Sequence, residues 1–132
     1  MNTYFNIKGL LFAAILFGLL HYSITLISNT IPINSTNYLI VISWLNIAAY
    51  CNYMLCGFVA SSIQKRNYIL YGFISGSLSS FIAIAIFGVA GNDSYGILIT
   101  IILAVILGSI GGLITKLIAN KLSTKALTKS ST

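Results

Sequence analysis

Four long apolar runs, separated by short polar breaks, dominate the pattern of the chain. They cover about residues 9–28, 38–63, 69–90 and 95–115. A helix needs about 20 mostly apolar residues to cross some 30 Å of hydrocarbon, and all four runs qualify. They are rich in Ile, Leu and Phe and lack strand-like alternation. Each is also too long for a barrel strand of about 9–11 residues. In lipid a helix satisfies its own backbone groups, so four helices are the expected solution.

The breaks carry turn chemistry. Asn29–Asn37 holds the only proline, Pro32, among Asn, Ser and Thr; Gln64–Tyr68 is short and basic; Gly91–Ser94 is short and polar. Short connections make successive helices antiparallel neighbours. The pattern therefore predicts an all-α fold, a four-transmembrane-helix up-down bundle over residues 1–115, followed by a basic tail over 116–132.

Composition narrows the class further. Hydrophobic residues make up 58% of the 132 positions and charged residues 6%, whereas a soluble domain carries about 25% charged residues. The charged side chains are Lys8, Lys65, Arg66, Asp93, Lys116, Lys121, Lys125 and Lys129. One charge at the middle of a membrane helix costs about 2.5–3.5 kcal/mol, and the long uncharged gaps avoid that cost.

Charge also orients the bundle. Lys8 precedes the first run, Lys65 and Arg66 lie between the second and third, and the other four lysines follow the fourth. In a four-span topology all seven cations fall on one side, which the positive-inside rule makes cytoplasmic, with both termini there. The expected location is the cell membrane, as a multipass protein of a bacterial cytoplasmic (inner) membrane. The net charge of +6 then suits anionic lipid headgroups at the cytoplasmic face and no nucleic acid, because every cation sits beside an apolar span. Lys8 followed by Leu10–Leu20 has the look of a signal peptide, but the run is long and no clean small-x-small site follows. It is read as an uncleaved anchor. Asn34-Ser35-Thr36 and Asn92-Asp93-Ser94 match the glycosylation sequon, a short pattern that arises easily by chance.

Small and polar residues recur at alternating steps of four and three, which places each set on one helix face. The first run offers Ala14, Gly18, His21, Thr25 and Ser28. The second offers Asn46, Tyr50, Tyr53, Gly57 and Ala60. The third offers Gly72, Gly76, Ser79 and Ala83, and the fourth Ala104, Gly108, Gly111 and Thr115. These are the expected inward faces. The GxxxG pairs Gly72/Gly76 and Gly108/Gly112 serve helix packing, either within one chain or between copies. Lys8-Gly9 with Tyr71-Gly72, and Cys56-Gly57 with Gly111-Gly112, hint at two hairpin repeats.

Candidate chemistry is sparse. His21 is the only histidine and the only residue within the spans that titrates near neutrality. His21 and Asn46 lie at similar depth from the outer ends, so antiparallel helices can join them, with Tyr50, in a polar pocket. The alternative is a neutral histidine hydrogen-bonded to a neighbouring helix. Asn52, Ser43 and Thr100 fit either picture. Trp44 and Tyr22, Tyr38, Tyr68, Tyr71 and Tyr95 cluster toward the span ends as interfacial belts. One carboxylate, one histidine and no GxSxG, HExxH or P-loop argue against an enzyme. Cys51 and Cys56 point to different sides of one helix, and no Cys/His set suggests a metal or other cofactor. The acidic residue that small multidrug exporters carry in their first span is missing, as is the Asn-Arg and aromatic pattern of flippase-like proteins.

Lys8-Gly9-Leu10-Leu11, Cys56-Gly57-Phe58-Val59-Ala60 before the basic loop, Tyr71-Gly72 with Gly76, and Gly108 with Gly111-Gly112 carry a resemblance. The chain resembles the small uncharacterised four-helix bacterial membrane proteins of the YrzE-like group over most of residues 7–115. The related proteins often have Gly-Gly-x-x-Ala-Gly before the loop, where this chain has Cys56 and Ser61 at the outer positions. The group has no established activity, so the resemblance implies fold and location. The leading expectation is a non-enzymatic accessory or interaction protein with a homo-oligomeric or membrane-protein partner. The runner-up is a small oligomeric channel or transporter subunit built around His21 and Asn46. A pore-forming lysis protein with a lysine-rich tail is third.

Overall fold

The structure is a computed structural model that describes residues 7–33, 37–65, 67–88 and 94–129. Within these it is all-helical, with α1 at Ile7–Thr30, α2 at Tyr38–Gln64, α3 at Tyr68–Phe87 and α4 at Ser94–Lys129. Each helix is long and apolar enough to cross a membrane. Both sequons, Arg66 and Asp93 involve residues outside the described ones.

The outward surface is apolar on every helix. Leu11, Ile15 and Leu19 of α1, Leu39, Trp44 and Ile47 of α2, Phe81 and Ile86 of α3, and Leu98, Ile102 and Ile106 of α4 are all exposed. A soluble monomer rarely presents such continuous apolar surface, whereas a bilayer requires it. The arrangement is that of a multipass membrane protein.

Helix ends follow local chemistry. α3 stops at Phe87 because Gly88 takes a left-handed conformation (φ 61°), with its N–H returned to the carbonyl of Ile84 at 3.2 Å. The expected third span ran on to Ala90, and the glycine cap ends it earlier. In the α2–α3 turn, Lys65 (φ 57°) and Asn67 (φ 49°) are left-handed without being glycine. Ser61 Oγ fixes this turn by donating to the Tyr68 carbonyl at 2.6 Å. α4 has 36 residues, about 54 Å at 1.5 Å per residue. It carries the helical path well past residue 115 into the basic tail.

α2 and α3 form a central pair that touches every other helix, while α1 and α4 make no close contact with each other among the described residues. The start of α1 meets the end of α2, where Gly9 lies against Ala60 and Ile63. α4 lies in the groove between α2 and α3. Its Gly108 faces Gly57 on one side and Gly72 and Gly76 on the other. Gly111 abuts Met54 and Phe58, and Gly112 abuts Tyr68 and Ile69. A methyl group added at Gly108 would stand 2.9 Å from Gly76 Cα and 3.0 Å from Gly76 N. Glycine is required there because backbone meets backbone.

This seam occupies the end of the molecule where Lys8, Lys65 and Lys116 lie, called here the basic end. At the opposite, far end the packing thins. Residues 38–51 of α2 include no buried residue, and neither do residues 22–30 of α1.

Candidate functional site: a polar pocket in the far half

The buried face of α1 is Gly9, Leu10, Ala13, Phe17 and His21. It lies one residue to the side of the expected stripe, in which Ala14, Gly18, Thr25 and Ser28 are only half-buried. A Cβ built on Gly18 would meet nothing within 4 Å. The reason is size: α1 packs by inserting the Phe17 ring, fully buried, against Tyr53 at 4.9 Å. Close backbone approach is made at Gly9, near Ala60, and not at Gly18.

Phe17 also supports His21. One helical turn apart, the two rings stack at 5.3 Å with 20° between their planes. Phe87, in the last turn of α3, covers the imidazole at 4.7 Å. On the basic-end side of His21, Asn52 of α2 donates its Nδ2 to the Phe17 carbonyl at 3.2 Å. Cys56 Sγ in turn donates to Asn52 Oδ1 at 3.7 Å. This polar link ties α1 to α2 inside an otherwise apolar interface, where an interhelical hydrogen bond contributes about 0.6–2 kcal/mol.

His21 borders a cavity of about 150 Å³. Its other polar walls are Asn46, Tyr50 and Tyr53 of α2 and Thr100 of α4; Ala49, Ile99 and Leu103 complete it. The structure thus brings His21, Asn46 and Tyr50 to one cavity. His21 is 5% exposed and Tyr53 3%, and His21 Nδ1 and the Tyr53 hydroxyl have no hydrogen-bond partner. Thr100 gives its hydroxyl proton to the Gly96 carbonyl at 2.8 Å, which leaves its oxygen lone pairs available. Asn46 and Tyr50 stay partly open to the surroundings. Apart from the imidazole, no wall of the cavity is ionisable near neutrality. The arrangement can accept and donate hydrogen bonds; it holds neither a paired base and nucleophile nor a carboxylate.

The other expected residues divide between regions. Gly72, Gly76, Gly108 and Gly112 all lie in the α3–α4 seam within the chain, away from the cavity. Ser43 is exposed and bonds to the Leu39 carbonyl of its own helix. Asn52 lies in the α1–α2 link rather than in the His21 cavity. Sequence reading gave Tyr53 a place on the inward face but no role in the pocket, and it passed over Phe17 and Phe87. The four-residue spacing of Phe17 and His21, and of Asn52 and Cys56, was the available signal.

A second, larger groove of about 650 Å³ runs along the outside of α1 and α2, lined mainly by Leu20, Ile24, Ile27, Met54, Leu55 and Phe58, with exposed Cys51 at its edge. Compared with protein-family models, curated proteins and solved structures, the chain matches none.

Proposed function

We propose that this is a non-enzymatic accessory or interaction protein of a bacterial cytoplasmic membrane, an up-down four-helix bundle with both termini cytoplasmic. The observation that carries the interaction reading is the uneven packing. One half of the molecule is closed by glycine contacts, while residues 38–51 of α2 are left without a buried side chain. Asn46 and Tyr50 add polar groups to that uncovered stretch, where a neighbouring membrane helix can meet them. The orientation is supported by the gathering of Lys8, Lys65 and Lys116 at one end, next to anionic headgroups. Kinship with the YrzE-like group is part of the same proposal and rests on the glycine positions that resemble it.

The second reading, a small oligomeric channel or transporter subunit, is favoured by the cavity that reaches both His21 and Asn46. Against a path through one chain stand the fully buried Phe17 and the glycine seam, which fill the bundle on the basic-end side.

Native mass spectrometry after extraction in a mild detergent separates these readings. A chain bound to a different membrane protein is the expected result. A stable homo-oligomer of this chain alone would transfer the proposal to the channel reading, and a lone monomer would remove the interaction reading. Cross-linking through Cys51 in intact membranes, with Cys51→Ser as control, is expected to trap the partner on the uncovered side.

A further inference from the structure

Two residues that border the His21 cavity each carry a buried polar atom without a partner, in a place where it is costly. A buried polar atom without a hydrogen bond loses about 1–3 kcal/mol, and lipid offers no replacement partner. His21 Nδ1 and the Tyr53 hydroxyl are both in that position, on side chains more than nine-tenths buried. They border the same cavity, reached from two different helices.

We infer that this cavity is a binding site for a small uncharged hydroxyl compound of the diol or triol class. Four features select the class. Size comes first: about 150 Å³ corresponds to about five water-sized positions at roughly 30 Å³ each. Charge is second. No carboxylate, lysine or arginine lines the cavity, so an ionic ligand would be buried without a counter-charge. Third, a hydroxyl both donates and accepts, so it can pair with His21 Nδ1 in either tautomer or with the Tyr53 hydroxyl. Fourth, Asn46 and Thr100 supply further polar partners, while Ile99 and Leu103 contact the carbon skeleton.

The single histidine makes the test specific. Protein labelled with ¹⁵N only in histidine gives one pair of side-chain nitrogen signals, both from His21. The protein is placed in phosphatidylcholine nanodiscs and titrated with glycerol as the probe. The Nδ1 signal is expected to move saturably with glycerol and to ignore acetate. Tyr53→Phe, which removes only the hydroxyl, is expected to weaken the apparent affinity by about tenfold. Asn46→Leu, at an exposed position, is expected to weaken it less, and it serves if the tyrosine variant does not fold. A second set of nanodiscs containing phosphatidylglycerol identifies the source of the hydroxyls. A shift there without added glycerol assigns them to the lipid headgroup, and a shift only on titration assigns them to the free compound. A linear, unsaturable response, or none in either bilayer, overturns the proposal and leaves water as the occupant. The inference does not depend on the partner proposal, since the titration needs no second protein. A lone monomer that binds glycerol would remove the partner and keep the site.

Discussion

The two halves of this bundle solve the same packing problem by opposite means. At the basic end, three helices approach until backbone touches backbone, with Gly57, Gly72, Gly76, Gly108, Gly111 and Gly112 as the contact points. At the far end, large side chains and polar groups hold the helices further apart and leave a cavity between them. The first solution leaves no room for an added methyl at these glycines. The second accepts looser packing and keeps hydrogen-bonding groups available. Close packing and available polar groups are therefore separated along the length of the bundle.

Substitutions can break this contrast. The largest effect is expected from Gly108→Val, which would force branched carbons into the backbone of Gly72 and Gly76 at once. Overpacking of a closed core costs about 1–3 kcal/mol, and a site where backbone yields rather than side chain belongs at the upper end. Thermal unfolding in detergent should show a marked fall in midpoint; an unchanged midpoint would mean that the seam is not close-packed.

A smaller loss is expected from Asn52→Leu, which deletes the bond to the Phe17 carbonyl at the boundary between the halves. An interhelical hydrogen bond of this kind is worth about 0.6–2 kcal/mol in membranes. His21→Leu tests the far half alone. It removes a buried polar atom that has no partner, so stability should hold or rise slightly, while the histidine-dependent glycerol response disappears. A large destabilisation by His21→Leu would show that the imidazole is a structural tie.

The smallest change is expected from Gly18→Ala. Nothing lies near the added methyl, and alanine in place of a helical glycine gains about 0.5–1 kcal/mol. A stability gain at Gly18 beside a loss at Gly108 would show that position, rather than glycine content, sets the behaviour of the two halves.

The number and type of elements were legible from hydropathy alone, since four runs of membrane length have no other economical fold in lipid. The faces of α3 and α4 were legible as well: Gly72, Gly76, Ser79 and Ala83, and Ala104, Gly108, Gly111 and Thr115, are all buried. There, small residues mark close approach. The face of α1 was misread by about one position because that rule fails where an aromatic ring fills the gap. Phe17 in a run of apolar residues looks the same to a pattern search whether it faces lipid or Tyr53. In α2 the stripe held for Tyr53, Gly57 and Ala60 but not for Asn46 and Tyr50, which are exposed. The chain's periodicity continues through α2 while its neighbours separate, and a one-dimensional pattern does not record that separation. The three residues grouped from the sequence, His21, Asn46 and Tyr50, border one cavity in the structure. Thr100 was one of three further candidates, and Tyr53 became part of the cavity only through the three-dimensional arrangement.

The position of α4 also has a consequence for biosynthesis. α1, α2 and α3 leave the ribosome first, yet the groove between α2 and α3 is filled only by α4. Until that helix arrives, the bare backbone at Gly57, Gly72 and Gly76 faces lipid chains, which fit such a groove poorly. α1 can dock early, because its partners are α2 and α3 and it has no close contact with α4 among the described residues. The groove therefore remains open until α4 has been made. Locking comes with α4, so the most closely fitted part of these four helices assembles after the other three have been made.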